Sequence, residues 1–463
     1  MIKTKRFIDY EQDLTTTKEN KELYGEVFTS FSLIEDILNQ IPLPNFSNTN
    51  KRWLDIGAGT GYFSIYLYYK LFENLRNEFL TDEQCKTHII TNMIYMVEIQ
   101  DANVAKLREI FGEDANIISD DYLEYTTSSS DEFRPDFIIG NPPFNSNGTK
   151  KVPSNNHSKK QCDGKTVWTD FIRKSVSILK NDTGLLCVII PSIWLKPDKV
   201  NMYQYLTRYK IANLHCFSNT ESNQLFQGNG QTPCCYFCLQ KTETDNQINI
   251  FDKSMNKYVD YKLEPSKPIP VFAQSIIKKL QPYLSYGLIP IIKTNMPPSK
   301  TQFSSKQTPE FGYPNVTTCV LNGNAPELVV NYSDKPCGYH GHPKLILAHK
   351  MYGFPYLDAE GLYGVSNRDN YVILEHGLNL ARLKQIQRFL STKTALYLYE
   401  ATRYRMKYLE KYIFELIPDI TLLPDFPNPI DDASIGAYFK FDEREKLAIQ
   451  ALHKHDYAFF GGL

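Results

Sequence analysis

Asn141-Pro142-Pro143-Phe144 follows directly on the apolar run Phe137-Ile138-Ile139-Gly140. Four apolar-leaning residues after Pro135-Asp136 read as a buried parallel strand, which places the tetrapeptide at its carboxyl end. In open α/β sheets the ligand crevice lies there. The two prolines stiffen the turn and remove two backbone donors, leaving carbonyl oxygens able to face a ligand. The Asn141 amide oxygen and the Pro142 carbonyl form a pair of acceptors, and Phe144 adds a flat apolar face. Such a set suits a planar ring that carries an exocyclic amine.

Three further strand ends carry groups that would position a nucleoside-like cofactor. Trp53-Leu54-Asp55-Ile56 leads into Gly57-Ala58-Gly59-Thr60-Gly61, and Tyr62-Phe63 opens a helix. The glycines permit a tight turn and close backbone approach just before a helix amino terminus. Gly-x-Gly-x-Gly alone is shared with dinucleotide enzymes. The strand Ile94–Val97 ends in Glu98, an acid able to bridge two ribose hydroxyls. Asn116-Ile117-Ile118 ends in Ser119-Asp120-Asp121-Tyr122, which brings a carboxylate and an aromatic to where an adenine ring would lie. Asp120 reads as a solvated neighbour. The stretch Leu71–Thr91 is polar and charged and reads as an extended helix plus loop.

This order of motifs resembles the gamma-group S-adenosylmethionine-dependent amino methyltransferases, the adenine-N6 DNA methyltransferases, across roughly residues 24–240. The entry motif looks like Tyr24-Gly25-Glu26-Val27-Phe28-Thr29-Ser30, with Ser30 where that family usually has Pro. The resemblance implies an α/β fold, a Rossmann-like sheet with helices on both faces. It implies S-adenosyl-L-methionine as cofactor, held by Thr29, Asp55, Gly57, Gly59, Gly61, Phe63, Glu98, Asp121 and Tyr122. It also implies catalysis by Asn141, Pro142, Pro143 and Phe144, no metal, and Phe226 in Leu225-Phe226-Gln227 as the aromatic against the target base. The implied substrate is double-stranded DNA with an adenine flipped out of the stack, because its N6 cannot be reached inside a duplex. A separately encoded restriction endonuclease is the partner such enzymes suggest.

The family's catalytic tetrapeptide also occurs in enzymes that methylate bases in ribosomal RNA or a glutamine amide in a protein, so these stay open as alternatives. A non-catalytic DNA-binding subunit is a third. The retained glycine loop and tetrapeptide argue against the last, and a large second domain after the catalytic one favours DNA.

The chain has 463 residues and a formal net charge of −1, which allows two domains and gives no whole-molecule attraction to a polyanion. A nucleic-acid site must therefore be a local patch. Residues 145–165 supply one, with Lys150, Lys151, Lys159 and Lys160 as candidate contacts to the DNA backbone. The expected domains are 1–245 for the methyltransferase and 246–463 for a mixed α+β target-recognition domain. In the second, Val271–Leu284 and Arg403–Lys411 show helical spacing, and Tyr404, Tyr408 and Tyr412 repeat every four residues as a core stripe.

Nine cysteines without a signal peptide or a long apolar run point to a reducing intracellular compartment, with no secretion and no membrane partner. Cys234-Cys235-Tyr236-Phe237-Cys238 reads as a buried strand rather than half of a zinc site. His340-Gly341-His342, followed by Pro343, reads as a turn.

Overall fold

A computed structural model describes residues 28–125, 133–146, 165–228, 232–264, 267–322, 325–349, 355–375, 380–405 and 409–452. The chain divides into two compact units, residues 1–251 with 260–264, and residues 252–259 with 265–463. Two strands beyond the expected boundary at residue 245 extend the first unit's sheet. Asn246 takes a positive φ of 58° between them and the preceding strand, and this turn sends the chain back along the sheet.

The first unit is built on β1 (Trp53–Ile56), β2 (Ile94–Glu98), β3 (Asn116–Ser119), β4 (Phe137–Gly140), β7 (Leu185–Pro191), β8 (Tyr209–Cys216), β9 (Cys234–Glu243), β10 (Gln247–Asp252) and β11 (Lys257–Lys262). A short pair, β5 (Asn145–Ser146) and β6 (Lys165–Thr166), stands apart. The main sheet runs β11-β10-β8-β9-β7-β4-β1-β2-β3. β1, β2, β3, β4 and β7 are mutually parallel, whereas β9 is antiparallel to β7 and β8. Every residue of β1 and β4 is buried, as expected of strands covered on both faces.

Helices α1 (Phe31–Leu38), α2 (Tyr62–Leu75), α3 (Asp82–His88), α4 (Asp101–Phe111), α5 (Trp168–Ile178), α6 (Met202–Thr207) and α7 (Asn219–Leu225) complete the unit. Trp53 anchors its core, with ring centroids 4.9 Å from Phe46 and 3.9 Å from Phe137. The surplus at 71–91 is more ordered than expected. α3 continues through a π-turn at Ile89–Met93, and Cys85, Ile89 and Met93 are buried, a four-residue apolar spacing that marks one helical face.

The second unit is mixed α+β. One sheet has the order β12 (Ile291–Lys293), β19 (Asn370–Leu374), β16 (Lys344–Ala348), β17 (Pro355–Asp358). The other runs β13 (Phe303–Ser304), β15 (Ala325–Ser333), β14 (Tyr313–Asn322), β18 (Gly364–Val365). The helix expected at Val271–Leu284 is Gln274–Leu280 followed by a 3-10 turn to Tyr286. Arg403–Lys411 forms no α-helix among its described residues, and Lys411 opens a 3-10 turn to Glu415. The helix there is Lys393–Ala401, and beyond it Tyr404 is fully buried with its hydroxyl donating to the Ile269 carbonyl at 2.8 Å. That bond ties the chain down where the pattern suggested another turn. Cys234–Cys238 lies in buried strand β9, and His340–His342 lies in a turn.

Candidate active site

The strand order reverses direction at β1. Its successors β2 and β3 step away on one side, and β4 and β7 step away on the other. A crevice opens outside the carboxyl ends at such a switch point. The glycine loop leaves β1 there and the tetrapeptide leaves β4 beside it, with Asp55 paired in register with Ile139.

Two glycines in this region are forced by geometry. Gly61 has φ +93°, and a Cβ on it would fall 2.7 Å from the Leu107 Cδ2 atom. Gly140 has φ +139°, and a Cβ there would lie 3.0 Å from the Ile56 carbonyl oxygen and 3.2 Å from Asp55 Oδ1. Gly57 faces the tetrapeptide, since a Cβ on it would contact Pro143 Cδ at 3.7 Å. The two motifs thus adjoin, although more than eighty residues separate them in sequence.

The acids of the crevice are held by backbone and side-chain donors. Glu98, at the end of β2, is buried; its Oε2 accepts the Gly59 N–H at 2.7 Å and its Oε1 the Gln100 N–H at 2.8 Å. Asn103 adds a longer contact at 3.5 Å. Asp55 is buried below the loop and accepts the Ser64 hydroxyl at 2.7 Å, tying strand to helix. Burial pushes its carboxyl up to about 7; the Ser64 hydrogen bond opposes this and the nearby Glu98 charge adds to it. Asp121 Oδ1 accepts the Leu123 N–H at 2.8 Å and shapes the loop after β3.

Of the other residues singled out in sequence, Thr29 is buried and its Oγ1 accepts a hydrogen bond from Asn141 Nδ2 at 3.1 Å. Phe144 is half-buried against the core, and Pro142 is buried. Three of the aromatics named from sequence are buried. Phe63 is 5% exposed and Phe226 3% exposed, both within the main hydrophobic core. As folded, Phe226 offers no face to a flipped base, because it closes α7 with its backbone N–H on the Ser222 carbonyl. Tyr122 is also buried, its hydroxyl 2.9 Å from Ser175 Oγ and its ring stacked on Phe171 at 5.1 Å. Lys150, Lys151, Lys159 and Lys160 lie outside the described residues, as do Tyr24–Val27.

Helix α5 supplies residues that the motifs did not point to. Lys174 Nζ donates to the carbonyls of Leu123, at 3.0 Å, and Tyr125, and its ammonium sits 5.2 Å from the Tyr122 ring centroid. Phe171, Lys174 and Ser175 thus grip the loop after β3 from one helical face. Their i, i+3, i+4 spacing was the available signal.

Residues 62–226 match the Eco57I restriction-modification methylase family. That segment begins just after the glycine loop and holds Phe63, Glu98, Asp121 and the tetrapeptide, so the methyltransferase resemblance is borne out. Among solved structures, the type IIL restriction-modification enzyme MmeI in complex with DNA shares the fold, with TM-score 0.51, 14% identity, and 87% of this chain and 70% of that one covered. The type I restriction-modification methyltransferase subunit from Streptococcus thermophilus aligns at TM-score 0.36 and 15% identity, covering 50% of each chain, so this chain spans half that subunit's length. No curated protein matches the sequence.

S-adenosyl-L-methionine is the cofactor expected of this methylase fold. The loop fits it: Thr60 Oγ1 is buried without a hydrogen-bond partner, and nothing lies within 4 Å of where a Gly59 Cβ would stand. Among the described residues no group of side chains could hold a metal ion, and no helix is long and apolar enough to cross a membrane.

Proposed function

We propose that this protein is a site-specific DNA methyltransferase that modifies the N6 amine of an adenine flipped out of double-stranded DNA. It would serve as the modification activity of a restriction-modification pair or as an orphan enzyme. The observation that carries this reading is that Pro143 of the tetrapeptide lies against Gly57 of the glycine loop, where neighbouring strands β1 and β4 end.

The adenine amine is a weak nucleophile because its lone pair is delocalised into the ring. The Asn141 amide oxygen and the Pro142 carbonyl accept its two hydrogens and favour a tetrahedral nitrogen with an available lone pair. Phe144 stacks on the base. Bound S-adenosylmethionine supplies an electrophilic methyl group. The glycine loop, Glu98 and Asp121 hold and orient it, and the proton lost from nitrogen leaves to solvent. The rate then comes from positioning and preorganised dipoles, without a covalent enzyme intermediate. The second unit is assigned to target recognition and the lysines of residues 145–165 to phosphate contacts.

The test is methyl transfer from labelled S-adenosylmethionine to unmethylated genomic DNA, with total RNA and a protein extract in parallel. N6-methyladenine in digested DNA is the expected product. Label confined to RNA or to protein glutamine would overturn the substrate and leave the fold standing.

A further inference from the structure

Asn141 must present its carboxamide with the oxygen toward an amine, and a primary amide can rotate by half a turn at little intrinsic cost. Turned the wrong way, it would offer two donors to a group that itself donates. The structure holds this amide by a contact from a distant segment. Thr29, four percent exposed on the segment leading into α1, stands with its Oγ1 3.1 Å from Asn141 Nδ2 and accepts its N–H. The two residues are separated by 112 positions in sequence, so the contact is a product of the fold.

Thr29 is itself fixed in place. Ser30 follows as the N-cap of α1, its side chain accepting from the Leu33 N–H, and Phe31, Leu33, Ile34, Ile37 and Leu38 bury that helix in the core. Phe28, on the other side, packs on Tyr62 at 5.8 Å between ring centroids. A hydroxyl on so anchored a segment can hold the Asn141 side chain in place. With Nδ2 engaged by Thr29, Oδ1 occupies the other arm of the amide.

We infer that Thr29 is a positioning residue that anchors the Asn141 carboxamide where it meets the amine. The inference deepens the proposed function and rests on it. It differs from the cofactor contact that the entry motif suggested for Thr29, because the partner shown is the catalytic side chain.

The experiment compares Thr29→Val, which keeps the shape and removes the acceptor, with Thr29→Ser, which retains it. At saturating cofactor and DNA, Thr29→Val should lower kcat about tenfold to a hundredfold, the scale of misplacing a catalytic group. Its kcat should fall by a larger factor than its affinity for S-adenosylmethionine, measured by calorimetry, and Thr29→Ser should recover most of the turnover. In an Asn141→Ala background, Thr29→Val should add nothing further.

Undiminished kcat in Thr29→Val, or a loss that is additive with Asn141→Ala and matched by lost cofactor affinity, would overturn the inference. A readout independent of activity separates it from the reading beneath it. In protein labelled with ¹⁵N at asparagine, the Asn141 amide protons, identified by their absence in Asn141→Ala, should exchange faster in Thr29→Val and not in Thr29→Ser. Equal exchange in all three refutes the positioning role. A wild type with slow exchange but no transfer to DNA would uphold the contact and defeat the proposed substrate.

Discussion

Asp55 should make the first unit lose stability as pH rises, and replacing it by asparagine should remove that dependence. The carboxyl is two percent exposed, beneath the glycine loop, with Ser64 as its hydroxyl donor. Burial is the main cause that pushes it up to about 7, against about 3.9 in an unfolded chain. Between those values the folded state holds a proton that the unfolded chain has released. Stability therefore falls through this window, and the contribution is fully present only below about pH 4. At about 1.4 kcal/mol per pH unit, the charged carboxylate costs the folded state about 4 kcal/mol once the pH exceeds 7.

Asp55→Asn keeps the shape and an oxygen for Ser64 while removing the titration. Urea unfolding of both proteins from about pH 4.5 to about pH 8 reports on this group, because titrations of groups that do not interact with Asp55 cancel in the difference. Tryptophan fluorescence is the suitable probe: the three tryptophans of the chain, Trp53, Trp168 and Trp194, are all buried in the first unit. The variant should gain on the wild type steadily with pH, by about 3 kcal/mol across the range. A difference that stays constant with pH would refute the buried, proton-holding Asp55.

Asn141→Ala should lower turnover about a hundredfold to a thousandfold while cofactor affinity persists, read by single-turnover transfer and by calorimetry, since the glycine loop is untouched. Lys174→Met should weaken S-adenosylmethionine binding roughly tenfold, about 1.4 kcal/mol, with kcat at saturation little changed, because it releases the loop after β3 and leaves the tetrapeptide alone. The eight described cysteines are all buried, so a thiol reagent should label at most one of the nine in the native protein and all nine after denaturation; labelling of several native thiols would contradict the packing.

The parts of the site that follow strand ends were legible because a fully buried parallel strand has a plain signature. A short apolar run that stops at a glycine or an acid tells where the sheet ends, and chemistry collects there. Trp53–Ile56, Ile94–Glu98 and Phe137–Gly140 all have that form. Aromatic side chains were less legible, because a ring that could stack on a ligand and a ring that fills a core have the same local sequence. Phe63, Tyr122 and Phe226 each follow a motif position, yet each is spent on packing. In the second unit the four-residue tyrosine spacing around Tyr404 suggested a helix, and the long-range bond from its hydroxyl to the Ile269 carbonyl overrode that preference.

What could not be read locally is how side chains from distant segments hold the chemical groups in register. Thr29 meets Asn141, Ser64 meets Asp55, and Lys174 meets the carbonyls of Leu123 and Tyr125. None of these supporting residues has a composition that marks it, since Thr, Ser and Lys are common on any surface. They become informative once the sheet order is known, because β4 lies beside β1 and α5 returns over the loop after β3. Each support then also explains a constraint on its partner. An asparagine at the end of β4 could rotate, a buried carboxylate under the glycine loop would lack a donor, and a loop after β3 would be free to move. These contacts fix the chemical groups relative to one another, which is the condition under which positioning can accelerate a transfer reaction.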